Sequence, residues 1–431
     1  MTYLTDKKPF NFNIEALRGV VALMVVWHHT ITHKNFLDPF YNSTGILSYH
    51  PPGHLSVLIF FVLSGYVIGL TNKQPLTKQS ILPYLKKRAI RIYPIYLFCV
   101  LLALAIAPTS YSIATIVGNL TTTQVLLVRV IKEIDPIWSL NYEILFYLLF
   151  IPVSYFKINP IYVLLFSLVV GTTSAYLFPS VDVPLLSSYC FGFTFWLAGL
   201  ALAQYLRIAK EYTSYAAMLS SLFILMAIEK FNVLGPLLQN ASLFLFKSNL
   251  VFPATVYWGY TIIRFQDFAF LPYAAIAVIL FSNKEIRFIK PVQAFLFILP
   301  AYTYYLIIKH RHEASFAFAP LVLPCVFYVL GLLIYLFSNY FESIARRIII
   351  YLVPLGSISY GLYLVHYPIL CTFKQLTYFA GSATSFAVRF FCYLVLSVAM
   401  AYLLEKKIQP WLKSRLDLIS QVGQPSENVV V

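Results

Sequence analysis

The feature that most constrains this chain is a series of apolar stretches, each close to 20 residues long, that recurs from end to end. About 20 apolar residues in a helix cross roughly 30 Å of hydrocarbon, and each such segment must satisfy its own backbone hydrogen bonds. Hydrophobic residues make up 60% of the chain and charged residues 11%, against about 25% charged in globular domains. The sequence therefore predicts an all-α fold, a polytopic transmembrane helical bundle, and excludes a soluble multidomain enzyme.

Eleven stretches are long enough to be spans, and the broken apolar region 232–282 is expected to add one crossing near 266–282. We therefore expect about 12 crossings, with 10 as the alternative, in one transmembrane domain over 1–404. Residues 405–431 are expected to form a short cytoplasmic tail, disordered from Asp417 onward. The eleven stretches are 14–33, 54–72, 85–107, 138–156, 160–178, 189–206, 213–229, 291–309, 314–338, 349–371 and 383–404.

The net charge of +15 belongs in the loops of such a chain. Basic residues favour cytoplasmic loops and anionic inner-leaflet lipid, so the charge does not call for nucleic acid, and no base-reading motif is present. Lys7 and Lys8 precede the first span and six basic residues crowd 73–91, which places both termini in the cytoplasm and the chain in the cell membrane. The five cysteines lie in apolar runs without metal-binding spacing, so no permanently bound metal or cofactor is predicted.

The first span contains the most informative polar residues. Arg18 and His29 are eleven residues apart, which puts them within about 20° of one helix face, with His29 about 16 Å deeper in the membrane. Glu15, one turn before Arg18, can pair with it. A neutral imidazole can accept a proton from a hydroxyl, so His29 is the best candidate for a general base. The alternative is a packed histidine bonded to a neighbouring helix.

Two further groups of charged residues lie at span ends. Glu143 is just inside a span with Tyr147 one turn later, and a carboxylate there needs a partner, for which an Arg or His of another helix is expected. Its alternative is a solvated carboxylate at a helix start. Arg88 and Arg91 lie one turn apart at the inner membrane face. They fit either membrane anchors or a clamp for the phosphates of a cytoplasmic donor.

Polar residues also interrupt the second span and a late one. Ser64 lies among small residues that let helices approach closely, and the chain has no G-x-S-x-G elbow, so Ser64 is a poor hydrolase-type nucleophile. Ser359, Tyr363 and His366 share one face of a late helix. Such a polar face contacts protein or a cavity rather than lipid, although His366 also fits an aromatic belt at the outer interface.

Taken in order, these segments resemble the integral-membrane acyltransferase family three. No single motif is specific, but five in the same order from residue 15 to 368 are. One departure is Ser56-Val57-Leu58, where the family often has Gly-Val and a polar residue. The motifs are Arg18-x10-His29 with Glu15, Phe60-Phe61-x-Leu63-Ser64-Gly65-Tyr66, Arg88-x-x-Arg91-Ile92-x-Pro94-x-Tyr96, Trp138-Ser139-Leu140-x-x-Glu143-x-x-Phe146-Tyr147, and Ile358-Ser359-Tyr360 with Tyr363-Leu364 and His366-x-Pro368.

The resemblance implies an O-acyltransferase that moves an acyl group, most often acetyl, from cytoplasmic acyl-CoA to a hydroxyl of an extracytoplasmic or lipid-linked carbohydrate. Direct transfer and a transient acyl-enzyme both fit. Some relatives carry a fused extracytoplasmic hydrolase-like domain; none is recognised in this sequence, so we expect either direct acylation or a separate extracytoplasmic partner protein. The implied roles are catalysis for His29, Glu143, Arg18 and Glu15, donor binding for Arg88, Arg91, Ser64 and Tyr96, and acceptor binding for Ser359, Tyr363, His366, Trp138 and Tyr147.

Two other functions use the same residues. A transporter or flippase of a lipid-linked sugar would use His29, Glu143 and Arg18 as a relay. It accounts for charges inside the membrane but not for the ordered motif set. A non-catalytic assembly or sensor protein is the third interpretation, against which the intact Arg18, His29 and Glu143 argue.

Overall fold

The computed structural model describes residues 13–178, 185–208, 213–247, 256–257, 260–261, 263–313 and 316–422. The predictions that rest on Lys7 and Lys8, and the predicted disorder of 423–431, lie outside these ranges. Seventeen α-helices are present in the described residues, and they are numbered here in chain order. They are Asn13–Thr32 (α1), Gly53–Thr71 (α2), Lys78–Ile106 (α3), Ile113–Leu120 (α4), Trp138–Tyr155 (α5), Pro160–Leu177 (α6), Leu185–Tyr205 (α7), Tyr215–Ile228 (α8), Leu234–Phe246 (α9), Leu271–Phe281 (α10), Ile289–Ile298 (α11), Ala301–His310 (α12), Val322–Leu336 (α13), Ser338–Gly356 (α14), Ser359–Gln375 (α15), Ala383–Tyr402 (α16) and Gln409–Val422 (α17).

The helical class is confirmed. Only two short pairs of strands accompany the helices in the described residues: Arg207–Ile208 (β1) pairs antiparallel with Lys284–Glu285 (β4), and Val256–Tyr257 (β2) pairs with Tyr260–Thr261 (β3). Nine helical segments of the described chain are long and apolar enough to cross a membrane, and α14 with α15, counted as one broken span, gives a tenth. The structure thus agrees more closely with the alternative of ten crossings than with twelve.

Three predicted spans differ from the helices found. The stretch 291–309 is present as one membrane-capable segment, Ile289–His310, with a turn at Leu299 and Pro300. The crossing predicted near 266–282 is the helical segment Phe265–Phe281, which is shorter than a membrane span needs. The stretch 349–371 is divided between α14 and α15 by Ser357 and Ile358, after a turn that holds Pro354. The stretch 213–229 is the 14-residue helix α8, shorter than a membrane span needs.

The predicted tail also differs. After α16 the chain continues without a break through a π-helical turn at Leu403–Ile408 into α17. The described chain is helical as far as Val422, and the disorder of the tail's end stays a prediction.

By packing, the chain forms two compact units, each described by itself. The first consists of 1–33, 42–75 and 139–357, and the second of 34–41, 76–138 and 358–431. One transmembrane domain over 1–404 stays a prediction.

The core of the first unit is the crossing of α2 and α7. An 18-residue stretch of α2 is 72% buried and one of α7 is 67% buried, whereas one of α6 is only 22% buried. Gly65 and Gly199 lie where the two core helices cross. A Cβ on Gly65 would overlap the carbonyl oxygen of Trp196, and one on Gly199 would overlap that of Val62. The small residues of the second span therefore allow close helix packing, as the sequence predicts.

The second unit is tied together by one buried arginine. Arg389 of α16, 5% exposed, donates from Nε to the carbonyl oxygen of Leu37 at 2.6 Å. Its Nη atoms donate to the carbonyl oxygens of Tyr378, Phe373 and Leu376 at 2.5–2.9 Å. One guanidinium thus joins Leu37 to the end of α15 and the segment that follows it.

Candidate active site

The end of α1 gathers histidines into a cluster. His29 lies in the last turn, partly exposed, and its Nδ1 is 3.1 Å from Nε2 of His33, with the two rings stacked at 5.2 Å between centroids. His28 meets His29 edge-on at 5.4 Å. Thr32 Oγ1 lies 3.1 Å from His28 Nε2 and 3.2 Å from His50 Nδ1. We call His28, His29, His33 and His50 the histidine cluster.

The segment before α2 fixes this cluster. His28 Nδ1 lies 2.7 Å from the carbonyl oxygen of Pro51; a carbonyl only accepts, so this nitrogen carries the ring proton. His28 Nε2 then accepts from the hydroxyl of Thr32, which in turn accepts from His50. Gly53 begins α2 against the His28 ring, where a Cβ would overlap the ring atoms. The cluster therefore depends on the local sequence Pro-Pro-Gly as much as on the histidines.

The chemistry of His29 follows from its contact with His33. Either His29 Nδ1 or His33 Nε2 can donate the proton of their hydrogen bond, depending on the tautomer. When His29 donates it, Nε2 of His29 carries the lone pair and can accept a proton from a hydroxyl. The stacked ring of His33 holds His29 in this orientation.

A second polar network lies deeper in the same unit. Ser64 of α2 donates to Glu143 Oε1 at 2.8 Å, the hydroxyl of Tyr147 donates to the same oxygen, and Trp196 Nε1 donates to Ser64 Oγ at 3.2 Å. We call these four side chains the serine–glutamate network. Glu143 does find a partner on another helix, as predicted, but the partner is a serine and not the expected Arg or His. Two hydroxyl donors stabilise the carboxylate without a cation.

The remaining predicted residues of the first unit lie at the start of α1. Arg18 Nη1 donates to both oxygens of Glu15, at 3.1 and 3.4 Å. The predicted pair is present, and it lies eleven residues from His29 along one unbroken helix. Because α1 ends at Thr32, His29 lies three residues from its end. His29 is therefore near one end of the span rather than in its middle.

The histidine cluster and the serine–glutamate network do not meet. Gly53, which contacts His28, and Ser64 are eleven residues apart on α2, about 16 Å along the axis. The structure therefore brings together Glu15 with Arg18, and Ser64 with Glu143 and Tyr147. It does not bring Glu143 to His29.

A histidine–aspartate contact at the start of α2 was not predicted. His54 Nε2 lies 2.8 Å from Asp267 Oδ2, which also accepts from the backbone N–H of Arg264 at 2.8 Å. The available signal was the crowding of five of the chain's eight histidines into 28–54. Sequence spacing alone did not show that His33, His50 and His54 would join His28 and His29 at one end of α1 and α2.

In the second unit, the two arginines of the predicted phosphate clamp differ in the groups that they contact. Arg91 Nη1 donates to Glu405 Oε2 at 2.9 Å, and Glu405, 5% exposed, also accepts from the N–H of Gly361 at 2.9 Å. Arg88 lies over the Tyr84 ring at 5.8 Å. Glu405 is the partner that the sequence analysis missed, and it is an acidic residue within an otherwise basic segment.

Tyr96 and the predicted site residues of α15 are buried. The Tyr96 hydroxyl donates to the carbonyl oxygen of Asn119, and that of Tyr363 donates to the carbonyl oxygen of Pro136 at 2.9 Å. His366 is fully buried, with Nδ1 3.1 Å from the carbonyl oxygen of Leu362, so it is not an exposed belt residue. Ser359 begins α15 on the predicted face at 1% exposure, and Trp138 begins α5 at 6%.

The similarity of the chain to known proteins is at the level of a family. In the described residues no group of three or more metal-binding side chains is placed to hold a metal ion. No curated protein and no solved structure matched the chain. The family model described as "Acyltransferase domain", that of acyltransferase family three, matches residues 11–406. The multi-pass chain with its histidine cluster therefore belongs to acyltransferase family three.

Proposed function

We propose that this acyltransferase moves an acyl group, acetyl being the first to test, from cytoplasmic acyl-CoA to a hydroxyl of an extracytoplasmic or lipid-linked carbohydrate. The observation that carries the proposal is the position of His29. It is partly exposed at the end of α1, and His33 holds its Nδ1 at 3.1 Å. A general base needs both access to its substrate and a fixed ring.

The proposed orientation follows from the basic residues. Lys73, after α2, lies with five further basic residues in the connection and the first turns of α3. With this side in the cytoplasm, the end of α1 and the start of α2 are at the outer face of the cell membrane. His29 then stands where an extracytoplasmic hydroxyl can reach it.

The proposed reaction is direct transfer. His29 Nε2 takes the proton from the acceptor hydroxyl, and the oxygen attacks the thioester carbonyl carbon. As the new ester C–O bond forms, the C–S bond breaks, and the thiolate of CoA receives the proton from the imidazolium. His33 shares the charge of the imidazolium through Nδ1, and no other reactant is needed.

The other predicted residues take supporting roles. Arg18, paired with Glu15 at 3.1 Å, would orient the donor or an acceptor carboxylate. Glu143, held by two hydroxyl groups, would keep one negative charge among α2, α5 and α7. Arg88 remains a candidate for the donor phosphates; Arg91 is a weaker one, because Glu405 already balances its charge.

Acceptor binding rests on buried residues. Tyr363 is 8% exposed, His366 0% and Ser359 1%, so we assign them to shaping the acceptor site through α15 rather than to direct contact. Trp138 and Tyr147, at 6% and 8%, receive the same assignment. A separate extracytoplasmic partner that completes the transfer remains compatible with these positions.

Two measurements test the proposal. Mass spectrometry of surface glycans and lipids from cells with and without the gene should show the loss of one O-acyl group. Purified protein should transfer label from acetyl-CoA to that glycan, and His29→Ala should abolish transfer while still binding CoA. A flippase would move its lipid-linked sugar without consuming acyl-CoA, and that result would overturn the proposal.

A binding assay tests the donor residues. Arg88→Ala with Arg91→Ala should weaken CoA binding, and Arg91→Ala alone should act mainly through the loss of the Glu405 pair. Equal CoA affinity in the wild type and the double variant would remove the clamp assignment.

A further inference from the structure

A cleft of about 600 Å³ opens in the first unit where α2, α5 and α7 end and α6 begins. This volume lies in the range of small-molecule sites, about 300–1,000 Å³. Its rim carries three lysines, Lys73, Lys157 and Lys284, and we call it the lysine cleft. Among the described lining residues none has a carboxylate. The polar neighbours are Asn72, Gln74, Ser154, Asn159, Gln204 and Tyr205.

The three lysines have no acidic ion-pair partner among the described residues. Neither Lys73 nor Lys157 forms an ion pair with a described residue, and Lys284 Nζ donates to the carbonyl oxygen of Leu206 at 2.9 Å. Burial, and then the nearby charge of Lys73, lowers the pKa of Lys284 below its usual value. The cations therefore repel one another, and an anion between them would relieve that repulsion.

The backbone at Lys157 is strained in a way that favours a functional role. Lys157 adopts a left-handed conformation, φ 54°, just after α5. The N–H of Ile158 bonds to the carbonyl oxygen of Val153 at 2.9 Å, and that of Lys157 bonds to Ser154 at 3.1 Å. This is the Schellman arrangement, in which glycine usually occupies the left-handed position. A lysine here costs conformational energy, and such strain concentrates at functional sites.

The start of α6 adds to the positive potential. Residues 158–160 line the cleft, and α6 is an 18-residue helix beginning at Pro160. The N–H of Ile161, the first of the helix, donates to the side-chain Oδ1 of the capping residue Asn159 at 2.9 Å. The helix therefore contributes its dipole rather than open donors.

The floor of the cleft is apolar. Gly69, Phe150 and Leu200 form part of it. Ser64, Tyr147 and Trp196 lie three to five residues earlier on the same helices, so the serine–glutamate network is the next polar layer beneath the floor. A ligand with phosphates at one end and a less polar arm at the other fits a cationic rim over an apolar floor.

We propose that the lysine cleft binds the phosphorylated nucleotide end of the acyl donor. The inference rests on the proposed acyl-CoA-dependent function and adds a site that the motifs do not contain. Phosphate oxygens accept from the ammonium groups of Lys73, Lys157 and Lys284, and the thioester arm extends over the apolar floor.

The test is a binding titration with the full chain in neutral phosphatidylcholine nanodiscs. Lys73→Gln combined with Lys157→Gly should weaken CoA binding about tenfold. Glycine at 157 removes the charge and also the backbone strain, so loss of folding is not expected. Lys247→Gly is the matched control. The backbone of Lys247 is also left-handed, φ 50°, but Lys247 lies outside the cleft. The CoA affinity of this variant should stay within twofold of the wild type.

The outcomes separate the two proposals. If the wild type binds CoA and the double variant binds it equally well, the cleft inference is wrong while the proposed function stands. If the wild type binds neither CoA nor acetyl-CoA, the proposed function itself fails. If phosphatidylglycerol in the nanodisc abolishes CoA binding to the wild type but not to the double variant, the occupant is a lipid headgroup, and the donor assignment is overturned.

Discussion

The two ends of α2 differ in the kind of polar residue they gather. The histidine cluster adjoins its first residue, Gly53, and consists of imidazole rings joined by a direct hydrogen bond, by ring contact or through Thr32. The lysine cleft surrounds its other end and consists of cations without acidic partners among the described residues. Imidazoles that share protons suit proton transfer, whereas unbalanced ammonium groups suit anion binding. Under the proposed function, the histidine end would serve the reaction and the lysine end the donor.

The length of α2 sets a condition on any mechanism. Its 19 residues span about 28 Å, so a donor held in the lysine cleft must present its acyl group far from its phosphates. The serine–glutamate network lies between the two ends. An extended carrier arm running along α2 would satisfy this condition, and the following predictions test each end separately.

The largest effect is expected at the histidine end. His29→Gln removes the base but keeps a polar side chain, so kcat should fall by at least about 100-fold, within the range for a lost general base. KM for acyl-CoA should stay within about twofold. Steady-state kinetics of label transfer measures both. His312→Gln, at an exposed histidine outside the cluster, is the control; a His29→Gln variant with half the wild-type kcat would contradict the assignment.

A smaller loss is expected at His33. His33→Ala removes the group that orients His29, so kcat should fall about tenfold, and the acidic limb of the pH profile of kcat should shift. His33→Asn can still accept from His29 Nδ1 and should recover part of the activity. Equal losses in the two variants, with an unchanged pH profile, would mean that His33 has only a structural role.

The helix that joins both ends can be tested through its crossing with α7. Gly199→Ala places a Cβ against the carbonyl oxygen of Val62 and should lower the free energy of unfolding by about 1–3 kcal/mol. Thermal unfolding in detergent measures this. In Gly331→Ala the nearest atoms are the end of the flexible Ile224 side chain, at 3.0 Å, so a nearly unchanged midpoint is expected there. Similar shifts for the two variants would show that the crossing is not tightly packed.

Much of the fold could be predicted from sequence because span length and apolar content are local properties. The ends of α1, α2, α6 and α7 fall within about four residues of prediction. The division of 349–371 and the helical tail could not be predicted, since they depend on tertiary packing around Pro354 and Glu405. The crossing count differed for the same reason.

The candidate site was predictable only where residues share one helix. The spacing of Glu15 and Arg18 determines their pairing, and the sequence correctly indicated that Glu143 needs a partner. The pairing of His29 with His33 depends on where α1 ends, and the meeting of Lys73, Lys157 and Lys284 depends on how four helices converge. Neither property is encoded in local spacing.

The smallest expected effect is on the free energy of unfolding, and it separates the backbone strain at Lys157 from the role of its charge in the lysine cleft. Lys157 and Lys247 both adopt left-handed backbone, φ 54° and 50°, which disfavours residues with a Cβ by roughly 1–2 kcal/mol. Glycine removes that penalty but gains entropy in the unfolded chain, so Lys157→Gly and Lys247→Gly should each raise the free energy of unfolding by no more than about 1 kcal/mol. Paired thermal unfolding measures the gain. Only Lys157→Gly should also weaken CoA binding, because only Lys157 lines the cleft. If both variants gain stability and bind CoA equally well, the strained backbone at Lys157 only turns the chain from α5 to α6 and has no part in binding.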